Sequence, residues 1–430
     1  MPDVTDQLQK QIAENKGNLT LRGRQLYRIT RPLEFDLAKL GAIAIRAEGG
    51  ATLLMDGPGP ALRLIGTHEG TASPKSFKPA TWNERMPLID GIEILGVHEQ
   101  ADGIELVRCV APTITRVSIR WCRHGIHLVN RNRNVVIAEC HLYQNSGVGV
   151  FLDDVNLHQI NVNDCHISYN VEGGIVVRDG NVRNLQVAGC DIEGNMPPDE
   201  TPTQTANILI DLSHSEADRS KSVAEVSITG CTIQHAANYG GQNGRTIAEG
   251  GANIRLRGKS VYPIDSVTIS GNVLSDTTTN IDINHALDVA INANNFFAPK
   301  PGNLTVRNAA RVVVAGNTFN PRQFERPGTI HFKDCVDCLI SGNTMRRFAT
   351  TEGALILEQC RGCLVSSNIL TECDSGIVLR DCRDMTIASC RINDLAPGEQ
   401  AISADEACHA VELFNNQTTH RKAGSAPDAN

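Results

Sequence analysis

The sequence predicts an all-β chain wound as a right-handed parallel β-helix of roughly a dozen coils, capped at its N-terminus by a short helix. Three observations carry this. The core is poor in aromatics, at 4% of 430 residues against 41% hydrophobic overall, so Val, Ile, Leu, Ala and Cys must fill it, which suits many thin, similar layers. A short segment recurs: "VTISGNVL" (267–274), "VVVAGNTF" (312–319), "CLISGNTM" (338–345) and "CLVSSNIL" (363–370), with Cys replacing Asn in "VVIAECHL" (135–142), "INVNDCHI" (160–167) and "LQVAGCDI" (185–192). Between successive copies lies a second segment with period-2 alternation, such as "GIHLVN" (125–130), "GIVVRD" (174–179) and "NIDINH" (280–285), the pattern of a strand with one buried face.

Taken in chain order, residues 5–14, "TDQLQKQIAE", place Leu8 and Ile12 on one helical face. An open solenoid end needs covering, so residues 1–18 are the expected cap. "LRGRQLYRITRPLEF" and "AIAIRAEGGATLLMDG" supply the first strands. The repeat column then runs Cys122, Cys140, Cys165, Cys190, Cys231, Asn272, Asn317, Asn343, Asn368 and Cys390, joined by Asn295 and Asn416, with most steps of 18 to 26 residues. Stacked Asn side chains bond to their counterparts above and below, and Cys acts there as a small hydrophobe. Residues 1–420 are expected to form one domain. Long loops at 191–252 interrupt the rhythm, and 421–430 form a polar, disordered tail.

The paired motif "CVDC…CRGC" raises a four-thiolate zinc site at Cys335, Cys338, Cys360 and Cys363. The repeat gives a competing cause. Cys335, Cys360 and Cys382 follow equivalent strands, and Met385 takes the place of Cys338 and Cys363 one coil later, so zinc is disfavoured and no resident cofactor is expected.

A net charge of −8 argues against a nucleic-acid partner, and no apolar run reaches the ~20 residues of a membrane span. The N-terminus shows no signal-peptide core. Localisation stays open: secreted or periplasmic if a signal was removed, otherwise cytoplasmic. A monomer is expected.

The opening "LQKQIAENKGNLTLRGRQLYRITRPLEF…AIAIRAEGGATLLM", followed by VxIxxN/C coils, resembles the pectate-lyase-like superfamily of right-handed β-helix proteins, and the resemblance spans nearly the whole chain. It implies a carbohydrate-active protein whose groove is floored by the "GIHLVN" strand set. On that set, alternation places His127, Phe151, Val176, Leu209, Arg255, Asp282, His331, Ile356 and Val378 in one outward column. Val129, Asp153, Arg178, Asp211, Arg257, Asn284, Lys333, Glu358 and Arg380 form a second. Asn130, Asp154, Asp179, His285 and Asp334 follow at the turn.

The polar stretch beside the long loops gives the candidate catalytic set: Asp211, Asp282, Arg255, Arg257 and His285. Asp153, Arg178, Asn284, His331, Lys333 and Tyr239 are the candidate substrate contacts. Asp211 and Asp282, two coils apart at ~4.8 Å per coil, fit hydrolysis by paired carboxylates. The Arg and His residues fit β-elimination from a uronate, with calcium entering only in that case, at Asp153, Asp154 and Asp179. The polygalacturonase and mannuronan-epimerase motifs are absent. The expected function is therefore cleavage of glycosidic bonds in an acidic polysaccharide, with a non-catalytic, tailspike-like glycan-binding protein as the alternative.

Overall fold

The computed structural model describes residues 1–70, 73–197, 202–214, 221–236, 249–298, 301–322 and 327–422. The chain divides into two compact units, Met1–Pro198 with Ala206–Val226, and Asp199–Thr205 with Ser227–Asn430. It is a parallel β-solenoid of about fifteen turns, somewhat more than the sequence repeat suggests.

In the first unit the helix Thr5–Glu14 buries Thr5, Leu8 and Ile12. Asp3 accepts hydrogen bonds from the Thr5 amide and hydroxyl, satisfying a donor at the helix start. Gly17, at φ 85°, donates to the Ile12 carbonyl at 2.8 Å and closes the other end. A Cβ there would lie 2.3 Å from the Ile43 side chain, so only glycine fits. Above the helix the strands stack in parallel register. Leu106, Leu128, Leu152, Val177 and Ile210 form one inward column across consecutive coils, all fully buried.

Two side-chain ladders satisfy the buried turns. In the first unit Cys122, Asn145, Asn170, Asn195 and Asn207 are linked in series, each Asn Oδ1 accepting from the member before it. Cys122 thus belongs to this ladder and not to the column of Cys140, because its amide bonds to Asn145 and Val117 is the residue level with Cys140. In the second unit the series is Cys231, Asn272, Asn294, Asn317, Asn343 and Asn368, and Cys390 in turn bonds to Asn416. Asn294, not Asn295, is the buried member, since Asn295 opens the next strand.

Corners between strands are made by residues at positive φ. Asn130 (60°), Asp154 (44°) and Asp179 (53°) form one such column in the first unit, and His285 (55°), Asn308 (51°) and Asp334 (52°) occupy the matching corner in the second. Asn and Asp tolerate this conformation best among side-chain-bearing residues. The acidic residues expected at the turn thus answer a backbone requirement. The second unit also contains the strand Gly302–Arg307, a coil that falls between the two strands bearing Asp282 and His331. The polar stretch is therefore one layer longer than the sequence pattern suggests.

Candidate functional site

In the first unit the outward column reads Glu105, His127, Phe151, Val176 and Leu209, and beside it Asp153, Arg178 and Asp211 stand level on successive coils. Phe151, Val176 and Leu209 are buried although their strand face points away from the core. At Gly173, φ 131° turns the preceding chain back over the strand, so that a Cβ there would meet Val176 at 2.4 Å. The outward column is thus a covered floor where the alternation predicts an open one.

On this floor His127 lies between two carboxylates. Its Nε2 is 3.3 Å from Asp153 Oδ2 and its Nδ1 is 3.9 Å from Glu105 Oε2. The imidazole stacks on Phe151 (centroids 5.1 Å, planes 7° apart), and the Arg178 guanidinium lies 4.8 Å from the same ring. The hydrogen bond from His127 holds the Asp153 carboxyl below its ordinary range, against the opposing effect of burial. Arg63 fixes Glu105 from the other side at 2.6 Å.

His124, in contact with both rings, is neutral. Its Nδ1 accepts from the Val148 amide at 3.1 Å, and burial pulls its pKa down to about 4. Asp102 anchors this end by accepting from the His124 amide and from Arg123 in two bonds of 2.9 and 2.6 Å. Asp211, also buried, accepts from the Ser213 amide at 2.7 Å and has His214 Nε2 3.4 Å from its other oxygen.

In the second unit Asp282 is held between two guanidinium groups. Arg255 Nε donates to Oδ2 at 2.8 Å and Arg307 donates to Oδ1 at 2.6 Å. Arg255 also donates to the carbonyls of Thr205 (3.0 Å) and Gly250 (2.5 Å), and Arg257 donates to Gln204. Arg255 and Asp282 are 3% and 8% exposed. Neither is an open groove residue: the chain at 203–205 and 250 lies across them. A carboxylate with both oxygens on arginines beneath covering chain has the arrangement of a structural ion triad.

Residues 88–211 match the family model described as "right handed beta helix region", and residues 224–428 match that of NosD, "periplasmic copper-binding protein". No curated protein sequence matches the chain. Among solved structures, the tailspike protein of E. coli bacteriophage HK620, in complex with a pentasaccharide, aligns over 96% of this chain and 75% of its own at 12% identity and a TM-score of 0.53. The DFA-IIIase of Arthrobacter chlorophenolicus A6 aligns over 96% and 95% at 12% identity and a TM-score of 0.47. The A-module of the Azotobacter vinelandii mannuronan C-5 epimerase AlgE6 aligns over 98% and 97% at 12% identity and a TM-score of 0.40. The chain shares the right-handed parallel β-helix fold of the HK620 tailspike. At these identities the likeness concerns the fold.

The other expected site residues of this β-helix are placed as follows. Asn284 accepts from Asn308 Nδ2 at 2.9 Å. His285 is the positive-φ corner residue and so is fixed by the backbone. His331 and Lys333 converge on Glu358, at 3.3 and 2.7 Å, and burial lowers the His331 pKa. Tyr239 lies outside the described residues, as do 198–201, 215–220 and 237–248 of the long loops and the tail from 423 onward.

Sequence reasoning missed Glu105 and Arg63, whose coils precede the first clear repeat, and Arg307, whose coil "NLTVRN" follows a Pro-rich turn that hides the period. It also missed an open hollow of about 650 Å³ in the second unit, lined by Glu352, Ser375, Arg380, Glu399, Gln400 and Ser403. A hollow of about 360 Å³ in the first unit is lined by the amides of Asn134, Gln159, Asn161, Asn184 and Gln186.

Proposed function

We propose that this β-helix is a carbohydrate-active enzyme that cleaves glycosidic bonds of an acidic polysaccharide through Glu105, His127, Asp153 and Arg178. The observation that carries the proposal is the imidazole of His127 set between two carboxylates on an aromatic floor. Glu105 and Asp153 stand two coils apart, ~9.6 Å along the axis at ~4.8 Å per coil, and the His127 imidazole fills the gap between them, so the attacking water meets Asp153 from the solvent side. Asp153, kept ionised by His127, serves as base. As Asp153 takes the proton of the attacking water, His127 gives its proton to the leaving glycosidic oxygen and is reprotonated from Asp153. Arg178 neutralises a sugar carboxylate. If the bond breaks by elimination instead, Arg178 acidifies the proton beside that carboxylate and Asp153 or His127 removes it.

Asp211, one coil beyond Arg178, is buried against the Ser213 amide and His214 and supports the floor from beneath. The acidic set considered for calcium is partly committed, since Asp154 pairs with Lys221 and both Asp154 and Asp179 are corner residues. Activity should therefore survive chelation.

The test is incubation with a panel of uronate polymers. New reducing ends signal cleavage by either route, and unsaturated-uronate absorbance signals elimination. Asp153→Asn should abolish product, whereas Asp282→Asn should leave the rate per folded molecule unchanged. Failure on every polymer, or full activity in Asp153→Asn, overturns the proposal.

Glycan binding without cleavage is the second reading, supported by the pentasaccharide in the tailspike structure. Retention of a glycan on the wild-type protein without product would establish it. The periplasmic description of the NosD model supports a place outside the cytoplasm, which cell fractionation tests.

A further inference from the structure

A second polar group lies in the first unit, on a strand set that the carbohydrate reading does not use. His166–Ser168 pairs in parallel with Asp191–Glu193 one coil later, so His166 stands level with Asp191 and Ser168 with Glu193. Period 2 puts these four side chains on the outward face and leaves Ile167 and Ile192, both fully buried, on the inward one. One nitrogen of His166 and one oxygen each of Asp191 and Glu193 lie within 4.8 Å of one another. His166 Nε2 is 3.7 Å from Asp191 Oδ2.

Two orphaned atoms mark the same place. The His166 side chain is 42% exposed, yet its Nε2 is enclosed and has no hydrogen-bond partner. Ser168 is 1% exposed, and its hydroxyl is likewise without a partner. Buried polar atoms are nearly always bonded, and one left over calls for a water, an ion or a ligand. The pattern differs from that at His127, whose two carboxylates lie at opposite ring nitrogens. Around His166 the carboxylates converge. The paired Cys-x-x-Cys turns offer no rival set: the thiols of Cys335, Cys338, Cys360 and Cys363 donate to backbone carbonyls. Among the described residues, no three of their sulfurs lie within the same 4.8 Å reach.

We propose that His166, Asp191 and Glu193 hold a divalent cation, Mn(II) or Zn(II), with the Ser168 hydroxyl beside them as a neutral donor and water in the remaining positions. Imidazole suits zinc and carboxylate suits manganese. Calcium and magnesium take oxygen alone, so the imidazole selects against them. Metal–ligand bonds of about 2.0–2.2 Å hold neighbouring donors roughly 3–3.5 Å apart, so the 3.7 Å contact closes with a small side-chain movement. Two carboxylates balance the charge of the ion, and binding buries no net charge. The Asp191 side chain, 51% exposed, leaves a path from solvent. The ligands come from two adjacent coils, so the ion ties one coil to the next. Its effect is on stability and not on cleavage at Asp153, because an ion held only by the native chain raises apparent stability.

The experiment uses full-length protein stripped of metal with a chelator and kept reduced. Mn(II) is the first probe, because thiolates favour softer ions and the cysteines then contribute nothing. Its binding is read from the loss of the free-ion electron paramagnetic resonance signal, and melting temperature is followed with Mn(II), Zn(II) and Ca(II). Wild type should take up one Mn(II), which Zn(II) displaces, as the order of divalent affinities requires. Both ions should raise the melting temperature more than Ca(II) does. His166→Gln and Glu193→Gln, at partly exposed positions, should weaken Mn(II) binding at least ten-fold and lose the rise, while Asp288→Asn should match wild type. No uptake of Mn(II), equal binding by His166→Gln, or a Ca(II) effect as large as that of Mn(II) overturns the proposal. Native mass spectrometry of wild type with Mn(II) tests the site without any variant: one bound ion supports it, and an unshifted mass refutes it.

Discussion

At the scale of single residues, similar chemistry has opposite consequences depending on burial. Asp282 is tied to Arg255 and Arg307 beneath covering chain, whereas Asp288 pairs with Arg311 in solvent, with side chains 46% and 51% exposed. Removing one partner of a buried pair strands the other charge, at a cost of about 3–5 kcal/mol. Removing one partner of an exposed pair costs about 0–1 kcal/mol. Asp282→Ala should therefore lower the urea midpoint strongly and Asp288→Ala barely. Similar small shifts in both would show that the triad contributes no stability.

His124 supplies a second case. Its folded pKa of about 4 lies below the ordinary 6.5, so between these values the unfolded chain binds the extra proton. The stability gained from keeping His124 neutral is complete above pH 6.5 and is lost as pH falls towards 4, a loss of order 3 kcal/mol. The melting temperature should fall across that window, and His124→Gln should flatten the fall. An unchanged slope in the variant refutes the assignment.

These environments were not legible in the sequence. Alternation along "NIRLRG" and "NIDINH" correctly put Arg255 and Asp282 outward. Whether an outward residue meets water depends on chain from elsewhere, here Thr205 and Gly250, which local period cannot show.

At the scale of elements, the Asn ladder is where sequence and structure agree most closely. The recurrence of Asn272, Asn317, Asn343 and Asn368 was readable because one physical need repeats each coil: a buried turn whose donors and acceptors must be satisfied. Asn343 Oδ1 accepts from the amide and side chain of Asn317 at 3.0 and 2.9 Å, and its Nδ2 donates to Val314 and Asn368. Asn343→Ala leaves the Asn317 amide and the Val314 carbonyl unpaired in the core. At about 1–3 kcal/mol for each unsatisfied group, destabilisation of about 3 kcal/mol or more is expected in chemical denaturation. A loss under about 1 kcal/mol would mean that water fills the gap. The first unit's ladder through Asn145, Asn170 and Asn195 escaped notice because its members sit in "QNSG", "YNVE" and "GNMP", turns with no common neighbours. The glycine beside it has a matching cause: a Cβ on Gly174 would meet the Asn207 carbonyl at 2.5 Å and the Asn195 amide at 2.9 Å.

At the scale of the whole molecule, the composition states how the layers are filled. With so few aromatics, Cys takes the place of a small hydrophobe: none of the fourteen cysteines forms a disulfide, thirteen are buried, and Cys408 alone is partly exposed. Burial pushes the thiols of Cys109 and Cys122 up to about 12, which removes the thiolate that disulfide exchange and alkylation require. At those two positions packing therefore protects the thiol from oxidation. A thiol reagent applied to the native, metal-free protein at neutral pH should label about one cysteine rapidly, at Cys408, and all fourteen in denaturant. Rapid native labelling at Cys338 or Cys363 as well would show that the exposed turns at Asp337 and Arg361 open readily. Rapid labelling at Cys109, Cys140 or Cys190 would contradict the packed layers themselves, because reaching those sulfurs requires separating one coil from the next.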